Sequence, residues 1–205
     1  FNDRWKVGVT GGAGYAGDHE FSNGNAWYAL GRVTAVHTLD AEQQLVFALD
    51  YNGNRTIFPD VPLPGFFYRY RPDDNFALTL GVPRSAVDWR PADKWRIKVG
   101  WTLPYYFDAM VDFEVVEDWH LFGQIDREQQ AYAVEGMDDN ERLLFSQWRA
   151  EGGVRVEVGD LGHFIAAGGY AFEQEFERGW DVRDADEVRE VSDEPYIRLA
   201  FTVGF

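Results

Sequence analysis

His19-Glu20-Phe21-Ser22-Asn23-Gly24 is the segment whose residue types come nearest to a catalytic set. A histidine that takes the proton of a serine hydroxyl turns that oxygen into a nucleophile, the chemistry of ester hydrolysis. The spacing works against it. In an extended strand residues i and i+3 point to opposite faces, so His19 could not hold Ser22 for proton transfer. Ser, Asn, Gly and Asp are also ordinary loop formers. His37, His120 and His163 fall on different strand patterns, and no His-x-x-His or carboxylate–histidine spacing suits a metal. Without cysteine, neither a disulfide nor a thiolate site can form. Gly11, Gly12 and Gly14 lie on a strand pattern with no helix after it, so they do not cradle a phosphate. No catalytic residue, metal ligand or cofactor is expected.

The remaining charged residues occupy alternating rows. On 94–103 one row is Trp95, Ile97, Val99, Trp101 and Leu103, and the other is Lys94, Arg96, Lys98, Gly100 and Thr102. On 105–116 the rows are Phe107, Ala109, Val111, Phe113, Val115 against Asp108, Met110, Asp112, Glu114. This period of two is that of a strand with one apolar and one polar face. A turn centred near Pro104 sets Arg96 opposite Asp112 and Lys94 opposite Glu114, and a turn near Ala92 sets Asp88 opposite Arg96. Opposite charges facing each other across a ladder attract, so an Asp88–Arg96–Asp112 ladder is expected. The same alternation turns Glu173 and Glu175 inward beside an outward Phe172, and puts Arg149 and Arg155 on the inward face of 140–157. The inward rows hold both signs, which suits either a narrow interior filled by charge pairs or a pore with charged walls.

Twelve such segments run the length of the chain, at about 5–14, 25–38, 43–53, 64–71, 75–82, 85–90, 94–102, 105–116, 119–134, 140–157, 162–178 and 192–205. Alternate connections are short and carry Asp, as at Asp40, Asp73, Asp93, Asp118 and Asp160, while 15–24, 53–63, 135–139 and the acidic 179–191 read as longer outer loops. Pro83 and Pro104 mark two short outer connections, so the wall there is expected to be low. The last segment alternates to the end of the chain, with Ile197, Leu199, Phe201, Val203 and Phe205 on one face. An apolar ladder closing on a terminal aromatic is similar to the last strand of bacterial outer-membrane barrels, where Phe205 would serve as the insertion signal. The predicted fold is therefore all-β, a single domain over 1–205 forming an antiparallel up-and-down transmembrane β-barrel of about 12 strands. Its lipid-facing rows would include Trp95, Ile97, Val99, Trp101, Phe107, Val111, Phe113, Phe172, Phe201 and Val203.

Composition agrees. Hydrophobic residues are 45% of the chain and mean hydropathy is −0.38, with no apolar run long enough for a spanning helix. Barrel strands average to a polar composition because half of each strand faces inward. Aromatic residues reach 17%, as interface girdles would require. A net charge of −16 argues against nucleic acid as a partner. No secretory signal is visible at Phe1, so the sequence reads as a mature form or one lacking its leader.

The segments 58–83, 87–104, 168–179 and 195–205, with Asp-rich turns and Gly81-Val82-Pro83 at a strand end, resemble a family of small bacterial outer-membrane barrels of unassigned function. That resemblance implies a fold and no mechanism. The His19–Ser22 element is similar to the His-x-Ser-Asn element of outer-membrane phospholipases and lipid A deacylases, with one residue too many. The expected role is structural or scaffolding in the bacterial outer membrane, within a larger surface assembly. Its partners would be the lipid bilayer, the insertion machinery and other surface proteins. A narrow passive pore, a lipid hydrolase and a soluble ligand-binding barrel are the alternatives. The last conflicts with the breadth of the apolar outward rows.

Overall fold

A computed structural model describes residues 3–138 and 140–203, so Phe205 lies outside the described residues. Alternating segments separated by Asp- and Gly-containing turns form thirteen strands in one antiparallel sheet. They are β1 (Trp5–Tyr15), β2 (Trp27–Thr38), β3 (Gln43–Asn52), β4 (Leu63–Tyr70), β5 (Phe76–Val82), β6 (Arg84–Ala92) and β7 (Trp95–Thr102). These are followed by β8 (Tyr106–Val116), β9 (Trp119–Tyr132), β10 (Arg142–Glu157), β11 (Gly162–Gly179), β12 (Asp186–Val191) and β13 (Glu194–Val203). Each strand from β1 to β11 pairs with its neighbour in sequence, the up-and-down order expected.

Two expectations are corrected. The count is thirteen because the twelfth strand position is divided: β12 pairs with the upper part of β11 and β13 with the lower part. A bulge in β11 causes the break. Glu173 adopts φ +50°, and its N–H donates to the Asp193 carboxylate at 3.1 Å, in the gap between β12 and β13. The acidic segment 181–194, expected to be a solvated loop or a strand extension, contains the strand β12. The sheet is also not closed, because β1 and β13 each keep one unpaired edge. The chain after β1 instead meets the end of β9, where Ala133 N–H donates to Ala16 O at 2.9 Å and Gly17 bridges Ala133.

The low wall explains that contact. Pro83 and Pro104 end the β5–β6 and β7–β8 hairpins early, while β9, β10 and β11 run 14, 16 and 18 residues. Beyond Arg127, β9 has no β8 partner, so its carbonyls need other donors. Asn54 Nδ2 donates to Ala131 O at 2.9 Å, Asn23 Nδ2 to Ala133 O at 3.4 Å, and the Tyr106 hydroxyl to Gln129 O at 2.8 Å. The buried side of the β9–β10 hairpin switches here. Gln129, Ala131, Arg142, Leu144 and Ser146 are buried, although the same parity faces outward lower down.

Two loops cover that buried end. Arg142 ties them together, donating to Trp180 O at 2.8 Å, Arg55 O at 3.0 Å and Asn54 Oδ1 at 3.2 Å. Val182 N–H donates to Thr56 O at 3.0 Å, and Phe58 N–H to the Asp181 carboxylate at 3.1 Å. Arg183 donates to the same carboxylate at 2.9 Å and lies 3.9 Å over the Phe58 ring. Burial by itself would raise the Asp181 pKa; the Arg183 side chain and the Arg183 and Phe58 amides outweigh it and hold the carboxyl below its ordinary 3.8. A carboxyl depressed on folding stabilises at pH above its unfolded value and loses that contribution as pH falls through the folded one. Proteolysis within 53–62 should therefore stay flat from neutral pH to about 4 and rise below it. Asp181→Asn should raise it at neutral pH and remove the acid-dependent rise, because there is no carboxylate left to protonate.

Candidate functional site

The inward face of β6–β13 is the most highly organised polar surface of the molecule. Strand alternation brings charged side chains from each strand onto it, and pairing fixes which ones meet. In the lower tier Arg96 donates to Asp88 at 2.6 and 2.9 Å. Asp112, whose side chain is 5% exposed, meets His120 Nδ1 at 2.9 Å and Arg155 at 3.0 Å. Arg155 also reaches Glu157 at 3.0 Å, and His163 stands 4.0 Å from Glu157. In the upper tier Arg149 bridges Asp126 at 2.8 Å and Glu128 at 2.9 Å. Glu151, with a side chain 2% exposed, accepts from Tyr196 at 3.0 Å and from Arg198 Nε at 3.1 Å.

Most of the expected ladder residues lie on this face, with altered partners. Arg96 is opposite Asp112, as the Pro104 turn implied. The Asp112 carboxylate is nevertheless taken by His120 and Arg155, which lie toward the opposite side from Arg96. Asp88 is opposite Lys98, not Arg96, because the hairpin turns between Ala92 and Trp95 with a bulge after Trp89; Arg96 reaches Asp88 diagonally. Lys94 and Glu114 do pair through their backbones, with Glu114 N–H donating to Lys94 O at 2.9 Å. The Lys94 ammonium turns to Val115 O at 3.3 Å instead of the Glu114 carboxylate. Glu173 is exposed at its bulge and leaves the inward row; past that bulge Glu175 pairs with Ser146, on the side that is buried at that height, and is out of line with the Arg149 row below. Glu151, Tyr196 and Arg198 were missed. Their inward parity was legible, but Glu151 and Arg198 lie two strands apart and no pairwise strand reading joins them.

The other half of the wall is built of small inward residues, such as Thr34, Ala48, Gly65, Thr79 and Ala86. A cavity of about 930 Å³ remains there, bounded above by Arg55 and Thr56. Arg55 enters it and donates to Asp50 Oδ2 at 2.8 Å, while Arg32 takes Oδ1 at 2.7 Å.

The outward face carries the apolar rows expected. One row runs across six strand positions as Ile97, Val111, Gly123, Gly152, Gly168 and Ile197. Aromatic groups flank it. Trp95 and Phe113 pack at 4.7 Å below; Phe107, Trp148 and Phe172 form a chain at 6.0 and 6.4 Å above, with Trp101 beside Phe107. Val99, Phe201 and Val203 share this exposed outward face.

His19 is placed between Asp18 at 3.3 Å and Glu135 at 3.5 Å, and no hydrogen bond joins it to Ser22 among the described residues. Comparison with known protein families, curated proteins and solved structures finds no match to this chain.

Among the described residues Arg198 is the one cation paired with Glu151, and it pins β13 to β10 across β11. Arg198→Ala should leave a buried carboxylate with only the Tyr196 hydroxyl. Denaturant unfolding should then show a loss of about 3–5 kcal/mol. Glu151→Gln combined with Arg198→Ala should recover part of it.

Proposed function

We propose that the chain is an integral outer-membrane β-barrel with a structural role, its strands spanning the bilayer around an ion-paired interior. The observation that carries this reading is the outward face. Between the Trp95–Phe113 tier and the Trp101–Phe107–Trp148 tier, the outward positions of β7, β8 and β9 are Ile97, Val99, Ala109, Val111, Gly123 and Ile125, with no charge among them. The tiers stand six residues apart along β7, about 20 Å at the rise of a strand. An apolar band between aromatic girdles is the pattern of a surface that meets lipid at both interfaces. Arg127 supports it: its guanidinium lies in the upper tier, 5.8 Å from both the Tyr105 and Trp148 rings, at the height where headgroups would meet it.

A bilayer also supplies a reason to close the sheet. Unpaired backbone groups are costly in hydrocarbon, so strands cross membranes only as closed barrels. β1 and the strand position of β13 stand first and twelfth in an up-and-down array, so they run antiparallel and can pair directly. Both leave apolar outward rows uncovered, with Val9 76% and Ile197 83% exposed. The resemblance of 58–83, 87–104, 168–179 and 195–205 to small outer-membrane barrels of unassigned function points the same way. The partners of this reading are the bilayer and the machinery that inserts barrels into it. The interior charge pairs give it a rigid wall.

The test is insertion together with closure. Val111→Arg should block insertion into phospholipid vesicles or weaken it by about 2–4 kcal/mol, whereas Met110→Arg on the inward face should insert. Normal insertion of Val111→Arg would refute the lipid-facing assignment. The absence of cysteine gives a clean background for the second measurement. A cysteine at position 9, oxidised against single cysteines scanned through 196–202, should cross-link at one register in vesicles. No cross-link at any position would mean that the sheet stays open there.

A further inference from the structure

We propose that the cavity beneath the 53–60 loop is a binding site for a small solute bearing an oxyanion, a phosphate or a carboxylate. The cavity walls come from β2 to β9, and their charged residues are Arg32, Arg55, Arg69, Arg84 and one carboxylate, Asp50. Four guanidinium groups against one acid make this a positive enclosure inside a chain of net charge −16. Elsewhere on the inward face nearly every cation is matched: Arg96 by Asp88, Arg149 by Asp126 and Glu128, Arg155 by Asp112 and Glu157.

The cavity does not follow that rule. Arg32 and Arg55 divide a single carboxylate between them, at 2.7 and 2.8 Å. Arg84 reaches Asp108 at 3.5 Å and no other carboxylate among the described residues, with both side chains more than half exposed. Arg69 has no carboxylate within ion-pair distance among the described residues. Arg32, Arg69 and Arg84 are exposed to the cavity, so water screens their repulsion; what an anion would gain there is guanidinium donors that no carboxylate saturates. Guanidinium groups suit that anion, since each presents a planar fork of donors to a carboxylate or phosphate; Arg55 is already committed to Asp50 and to the Phe58 and Val61 carbonyls, so Arg32, Arg69 and Arg84 supply the free donors.

The space has the size and lining of a ligand site. Its volume of about 930 Å³ lies within the range of small-molecule pockets. Tyr28, Asn52 and Gln130 add neutral polar groups, and Val46 and Phe67 add apolar wall. The arginines are spread in depth. Asp50 is level with Leu63, and Arg69 lies six residues further along β4, about 20 Å away. An elongated acidic solute, or two smaller anions, would span that distance. These side chains face inward whether or not the sheet closes, so the proposal stands independently of the membrane reading.

The test is calorimetric titration of the full chain in detergent micelles with glycerol 3-phosphate and with citrate, using glycerol as the neutral control and dispersed short-chain phosphatidylglycerol as the lipid form of the same phosphate. At least one acidic probe should bind saturably, glycerol should not, and added salt should weaken binding. Arg69→Gln with Arg84→Gln should lower that affinity about tenfold or more. Arg71→Gln, in an exposed turn beside Asp74, should leave it unchanged. Binding of a soluble anion would identify a free solute as the source; binding of phosphatidylglycerol alone would identify a lipid headgroup. Either supports an oxyanion site. No saturable binding of any acidic probe, or equal affinity in the double variant, would overturn it. Should the double variant fail to fold, Arg69→Gln alone decides, because it breaks no ion pair.

Discussion

Backbone pairing is the constraint from which the other features follow. Each strand position has one N–H and one C=O to satisfy, and antiparallel neighbours satisfy them in register. Once that ladder is set, side chains can only alternate between two faces. One face collects Val, Ile, Leu, Phe and Trp from β7 to β13; the other collects Asp, Glu, Arg and His. Where the ladder loses a partner, the molecule finds a substitute. β9 outlasts β8, and Asn54, Asn23 and Tyr106 donate to the carbonyls left over. The loop that carries Asn54 is thereby held over the interior, and the cavity gains a roof.

The electrostatics follow from the same geometry. An acidic chain must place many carboxylates, and those on the inward face are drawn out of water. Asp112 and Glu151 are nearly inaccessible, and each has an arginine partner and one further polar contact. Such pairs need not add much net stability, because desolvation offsets their attraction. Their consequence is specificity: a slip of one residue would send every charge to the apolar face. Glu151–Arg198 extends this across two strand intervals and locates the last strand relative to β10.

The interior divides into two unlike halves. From β6 to β13 large charged residues meet and fill it. From β2 to β5 small inward residues such as Thr34, Ala48, Gly65 and Thr79 leave space, and the arginines among them outnumber the acids. A rigid ion-paired wall facing a positive cavity suits a scaffold that also receives an acidic ligand. The open edges at β1 and β13 and the charge-free outward band are the features that a bilayer would complete.

Strand identity and order were legible in the sequence, because a period of two over 8–18 residues is a strong local signal and Asp-, Gly- and Pro-bearing turns punctuate it. The facing of Trp95 through Trp101, and of Phe107 through Phe113, followed from the same alternation. The Arg96–Asp112 register followed from the short Pro104 turn. Tertiary structure decided what depends on a single-residue shift or on distant contact. The bulge after Trp89 moved Asp88 to Lys98, and the bulge at Glu173 divided the last strand and set Glu175 beside Ser146, out of line with Arg149. Pro91 lies within the first bulge, but the sequence does not say which strand position it displaces; the second, at Glu173, carries no proline or glycine to mark it. The loop over the cavity, the Glu151–Arg198 link and the unpaired edges join residues 45 or more positions apart, or leave them apart. Such contacts are set by how far the sheet curls, a property of all its strands together and of no segment alone.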